Sequence, residues 1–196
     1  MKNIKNIVNF LFETGILAKT PRSGFHFLGS GKQSVAEHVN RTVYIGYALA
    51  SLVEDADMAK VLKMCLFHDI EEARTTDLNY LHQKYTQAMP QKALQDLAVN
   101  LPFGQDLVRL KKEYEERKTL EARLAKDADT IEWILSLKEQ LDIGNERARE
   151  WIEIAFKRLK TEMARQIAME VMRTDSNDWW FSEKTDEWWV NRSKKD

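Results

Sequence analysis

Breakers and covalent staples are scarce in this 196-residue chain, which has seven glycines, three prolines and one cysteine. A lone cysteine cannot form an internal disulfide, and Cys65, inside an apolar run, reads as a small buried hydrophobe. So few glycines and prolines leave little to interrupt long helices. No apolar run approaches the roughly 18 residues of a membrane span. The N-terminus lacks the apolar core of a secretory signal. A cytoplasmic location with no membrane partner is therefore expected. The net charge of −1 leaves no electrostatic footprint for duplex nucleic acid, so none is expected as a partner. No stretch alternates as a strand does, and no internal repeat is visible.

What is present is helical periodicity. The 43% hydrophobic and 31% charged residues are those of a globular protein long enough for one real core. Ile4, Ile7, Val8, Leu11 and Phe12 predict an amphipathic helix over 3–18, with Gly15 weakening its last turn. Residues 19–31 show no period and read as a loop, long enough for a functional role. Gly24 and Gly29 have phosphate-loop separation, but Ser30 follows where lysine is required, which rejects that motif. Ser34 and Glu37 form a capping box for a helix to about Val53. Asp57 caps another through about Ala73. Leu78–Tyr85 is weakly helical, and Pro90 and Pro102 each mark a helix start. Long helices are expected over Arg109–Leu141, apolar on two sides and so central, and over Ala148–Met172. The expectation is an all-α, single-domain bundle of about seven to nine helices over 1–174. A Trp-rich extension follows over 175–196, with four of the six tryptophans packing on the domain or a partner subunit.

Ionisable residues concentrate where an apolar helix ends, in Met64-Cys-Leu-Phe-His-Asp-Ile-Glu-Glu72. Buried charge is costly unless paired or bound to a metal. His38 lies on the apolar stripe of its own helix with Ile45, Leu49 and Leu52. Taken alone it reads as a core histidine. His26 and His82 read as ordinary loop or surface residues. Asp127 and Asp129 project about 200° apart on a helix, so only one can face a given site, and spacing leaves open which. His38, His68, Asp69 and one of these aspartates would make a mixed N/O set suited to a divalent first-row metal. On a continuous helix His68 and Asp69 would not face each other, whereas Glu72 overhangs both. The bland reading makes Glu71, Glu72 and Arg74 a solvated helix terminus.

The order His38 … His68-Asp69 … Asp129 resembles the H…HD…D signature of the HD-domain metal-dependent phosphohydrolases. A finer resemblance is to the branch containing the 5'-deoxynucleotidases. It is carried by Pro21-Arg-Ser-Gly-Phe25, Ser34-Val-Ala-Glu-His38, His68-Asp-x-x-Glu72 with Asp77, Glu113-Tyr-Glu115, Glu121-Ala122 and the Lys126–Asp129 segment. It covers about residues 5–145.

The resemblance implies an ion, one of cobalt, manganese, nickel, iron or zinc, on His38, His68, Asp69 and Asp129. The family's Ala-Asp pair selects Asp129 over Asp127. The resemblance makes Glu72 the residue that holds or deprotonates the attacking water or protonates the leaving oxygen. Asp77 would contact the sugar or assist departure, Arg22 would clamp the phosphate, and Ser23 would lie beside it. Glu71 is left solvated. The implied substrate is a small phosphate ester, a (deoxy)nucleoside 5'-monophosphate, and the implied assembly a homodimer. The alternatives are another phosphate ester or phosphodiester, or a non-catalytic metal-binding module. The chain departs from the branch at Thr76, where glycine is usual, and in the loop Phe25–Gly31, which lacks the branch's tryptophan.

Overall fold

The computed structural model describes residues 4–182. Its helices are α1 Ile4–Thr14, continued by a 3-10 turn Gly15–Ala18, then α2 Gly24–Leu28, α3 Val35–Leu52, α4 Met58–Phe67, α5 Glu72–Thr75 and α6 Tyr80–Tyr85. After these come α7 Pro90–Ala98, α8 Gly104–Glu116, α9 Leu120–Asp142, α10 Arg147–Phe156, α11 Glu162–Arg173 and α12 Asp178–Phe181. No strand forms among the described residues; the one isolated bridge joins Pro21 and Ser34.

The fold class is the all-α one expected, but the helical segments outnumber the expected seven to nine. Part of the surplus is short: α2, α5, α6 and α12 have six residues or fewer. The segment read as a loop over 19–31 contains α2. The rest of the surplus comes from breaks in expected continuous helices. The run from Asp57 stops at Phe67, and residues 68–71 turn before α5. The run over 109–141 breaks at Arg117, whose left-handed φ of 53° ends α8, and Thr119 then caps α9 through Ala122 N. The run over 148–172 breaks at 157–161. There the Asp127 carboxylate accepts from Lys160 N at 2.9 Å, Thr161 N at 2.7 Å and Thr161 Oγ1 at 2.7 Å. That buried cap satisfies donors that a continuous helix would have used internally.

Local signals nearer to hand hold as read. Ser34 Oγ accepts from Glu37 N while Glu37 accepts from Ser34 N, completing the capping box. Asp57 accepts from Lys60 N, and Pro90 sits at the first position of α7.

α9 is the central helix, packed on α3, α4, α8, α10 and α11. Leu124, Ala128, Ile131, Ile134 and Leu137 along it are fully buried. Each such leucine or isoleucine contributes about 1.5–3 kcal/mol relative to exposure. α3 and α4 approach closely at Gly46, where a Cβ would lie 2.6 Å from Cys65 Sγ. A second core gathers Phe10, Leu17, Val35, Val39, Ile70, Leu94, Leu97 and Leu107. Cys65 belongs to the first core and Ile70 to the second, so the 68–71 turn lies between them.

In the Trp-rich segment, Trp179 and Trp180 belong to α12, and Trp179 is 85% exposed. Trp188 and Trp189 lie outside the described residues.

Candidate metal centre

Three elements converge on the site. α3 supplies His38, the turn after α4 supplies His68 and Asp69, and α9 supplies Asp129. The break after Phe67 brings Asp69 beside its neighbour: His68 Nε2 lies 3.2 Å from Asp69 Oδ2, a meeting a regular helix would forbid. Ligand atoms of His38, His68 and Asp69 lie within 4.8 Å of one another. Asp129 Oδ1 is 3.2 Å from His38 Nε2 and 3.9 Å from His68 Nε2. Both imidazoles are buried.

The tautomers follow from the outer partners. His68 Nδ1 donates to the Cys65 carbonyl at 2.8 Å. His38 Nδ1 donates to Glu132 Oε2 at 2.5 Å. In the neutral rings both Nε2 atoms therefore carry lone pairs, and they face each other at 3.1 Å. Two lone pairs and two carboxylate oxygens so placed repel unless a cation joins them. This donor set fits a divalent transition metal.

The surrounding carboxylates favour positive charge in this space, whether protons or an ion supply it. Burial and Arg22 lower the His38 pKa, yet hydrogen bonds to Asp129 and Glu132 outweigh them and raise it. Burial works against charge on Asp69, but His68 and His38 hold it below the usual carboxylate range. For Asp129 burial is likewise outweighed, by Lys126 and the two histidines. Lys126 Nζ donates to Asp129 Oδ2 at 2.6 Å and the Tyr114 hydroxyl donates to the same oxygen at 2.9 Å. Asp129 Oδ1 thus stays on the histidine side.

Arg22 sits beside this set. Its guanidinium is 3.5 Å from Asp69 and 3.7 Å from Asp77 and lies 5.9 Å from the Trp133 ring centroid. Ser23 N donates to Asp77 Oδ2 at 2.9 Å, tying residues 22–23 to the turn after α5. Burial, with Asp69 and Asp77 adding like charge, pushes Glu72 up to about 10 against the pull of Arg22. Glu72 Oε2 and Ser23 Oγ are buried polar atoms without a hydrogen-bond partner among the described residues.

The structure corrects one reading and adds three residues. Glu71 is not solvated: it is buried and pairs with Lys111 Nζ at 2.6 Å, while Lys111 also donates to the His68 carbonyl. His38 is buried on the apolar stripe of α3 as read, and its ring meets both His68 and Glu132. Glu132, Tyr114 and Lys126 were not foreseen as site residues. The one signal for Glu132 was its position, an acidic residue between Ile131 and Trp133, three residues after Asp129. Asp127 faces away, toward α11. Apart from Lys111, which lines a groove of about 200 Å³ between α7 and α8, none of these residues lines that groove or a second of about 320 Å³ along α4 and α8.

Comparison with known proteins identifies the family and the fold. The family profile described as HD domain matches residues 14–172. A curated relative, the 5'-deoxynucleotidase HDDC2 of Dictyostelium discoideum, is 31% identical over 149 residues, covering 69% of this chain and 78% of that protein. Among solved structures, a conserved hypothetical protein from Pyrococcus furiosus is 29% identical with a TM-score of 0.73, covering 85% of this chain and 99% of that one. A predicted metal-dependent phosphohydrolase from Magnetospirillum magnetotacticum, 22% identical with a TM-score of 0.70 over 88% of this chain and 92% of that one, shares the fold. The chain belongs to the HD-domain family.

Proposed function

We propose that this chain is a metal-dependent phosphohydrolase that releases phosphate from (deoxy)nucleoside 5'-monophosphates. The observation that carries the reading is the pair of Nε2 atoms facing each other at 3.1 Å with Asp69 and Asp129 beside them. The name of the Dictyostelium relative supports the nucleotide part of it.

In this reading His38, His68, Asp69 and Asp129 hold one divalent ion. Such an ion supplies Lewis acidity, neutralising phosphoryl oxygen charge and making water a competent nucleophile near neutral pH. Arg22 binds the phosphate. Its ion pairs to Asp69 and Asp77 are long, which leaves its N–H groups available to phosphate oxygens. The Ser23 hydroxyl, buried without a partner, supplies a second donor beside it. Glu72, a carboxyl whose burial favours the protonated form, gives a proton to the leaving 5'-oxygen. Asp77 orients Arg22 and Ser23 and meets the sugar. The assembly in this reading is a homodimer.

The test is phosphate release from a panel of 5'-monophosphates, 3'-monophosphates and phosphodiesters, with manganese, cobalt, nickel, iron and zinc supplied in turn. Turnover confined to 5'-monophosphates is expected. Preference for the diesters would replace the substrate assignment, and silence with every metal would overturn the enzyme.

A further inference from the structure

Glu132 is fully buried in the middle of α9, and both its oxygens are committed. Oε2 accepts the His38 Nδ1 proton at 2.5 Å. Oε1 accepts from Gln33 Nε2 at 2.7 Å, Arg41 Nε at 2.9 Å and Ser136 Oγ at 3.1 Å. Arg41 is in turn held by Ser136 and Glu139. Three donors from α3, α9 and the segment before α3 thus surround one carboxylate oxygen. Among the described residues, the other oxygen has one hydrogen-bond partner, the ring of a proposed metal ligand.

We infer that Glu132 is a positioning residue that sets the tautomer of His38 and so its competence to bind the ion. The inference rests on the proposed metal reading. The imidazole has one proton to place on two nitrogens. A carboxylate beside Nδ1 accepts a hydrogen bond from it, which holds the proton on Nδ1 and leaves Nε2 with its lone pair directed at His68, Asp69 and Asp129. Carboxylate partners of this kind also raise the basicity of a ligating ring and fix its orientation. The donors on Oε1 make the arrangement one-way, because only an acceptor fits among Gln33, Arg41 and Ser136.

A glutamine at this position faces a conflict. Its carbonyl oxygen must take the side with three donors, which turns its NH2 group toward His38 Nδ1. Nδ1 then has to accept, and the ring proton moves to Nε2, where it blocks the lone pair. Glu132→Gln is therefore expected to do more harm than loss of one charge.

The test uses the full chain. Long-range ¹H–¹⁵N NMR of the metal-free protein, at a pH where the rings are neutral, reads the tautomer of His38. Its signals are assigned by their loss in His38→Ala. Cobalt(II) titration followed by its visible absorption reads coordination, and thermal melting reads folding. Wild type is expected to show His38 protonated on Nδ1. Glu132→Gln is expected to show it on Nε2 and to bind cobalt at least 10–100-fold more weakly, the usual cost of losing such a partner, while still melting cooperatively. A wild-type His38 protonated on Nε2 would overturn the inference even if the variant failed to fold. So would a folded Glu132→Gln protein with unchanged tautomer and cobalt affinity. If wild type binds no cobalt, the metal reading fails by itself, and the tautomer measurement still decides whether Glu132 controls His38.

Discussion

Asp127 and Asp129 are two residues apart on α9 and face opposite ways: Asp129 lies 3.2 Å from His38 Nε2, while Asp127 caps the start of α11 through Thr161. Alanine at 127 should remove three accepted hydrogen bonds and cost about 2–3 kcal/mol of stability, with metal affinity of the folded protein unchanged. Asparagine at 129 should do the reverse and weaken metal binding in a protein that still folds. Denaturant titration beside a chelator competition measures both. Loss of metal binding in Asp127→Ala at full stability would contradict this division.

Thr76 has φ 61° and ψ 164°, a conformation that glycine adopts and a β-branched residue does not without strain. This is the position where the resemblance to the 5'-deoxynucleotidase branch implied a glycine. Thr76→Gly should relieve about 1–3 kcal/mol of strain, offset by roughly 0.5–1 kcal/mol of chain entropy. A net gain near 1 kcal/mol in chemical denaturation is expected.

Cys65 is fully buried against Gly46, and burial, aided by Asp129, pushes its thiol up to about 12. Native protein should therefore resist thiol reagents at neutral and mildly alkaline pH, with labelling limited by unfolding. The folded pKa lies above the ordinary value of 9.0. The unfolded chain thus releases the proton first, and this group's contribution to stability is intact below about pH 9 and lost toward pH 12. Stability measured across that window should fall less in Cys65→Ala than in wild type.

Arg22 makes two long ion pairs, and the proposed role asks it to fork onto phosphate. Arg22→Lys keeps the charge and loses the fork. Steady-state kinetics should show kcat/KM lower by about tenfold or more, equivalent to about 1.4 kcal/mol. An unchanged value would remove Arg22 from the phosphate site.

Much of this was legible where the cause is local. The capping box of Ser34 and Glu37, the Asp57 cap and the two-sided apolar pattern of α9 involve residues within a turn or two of one another. The breaks were not legible, because their causes are remote. Asp127 ends one helical run and starts α11 from 33 residues away. Ile70 is drawn into a second core whose members come from five other elements, and that bends the chain at His68–Glu71. This bend removes the objection that adjacent residues on a helix cannot share one ion. Glu132 looked like any charged residue on a long helix. Only the fold shows Gln33 and Arg41 arriving to satisfy it. Glu71 was misread for the same reason, since its partner Lys111 comes from α8.

The most direct test of the account is a titration of the metal-free protein with a divalent transition metal, read by calorimetry, for wild type, His68→Ala and Asp129→Asn. One ion per chain in wild type is expected, with binding lost or weakened by at least a hundredfold in both folded variants. A wild-type protein that binds no ion, or variants that bind it as tightly as wild type, would contradict the four-residue shell.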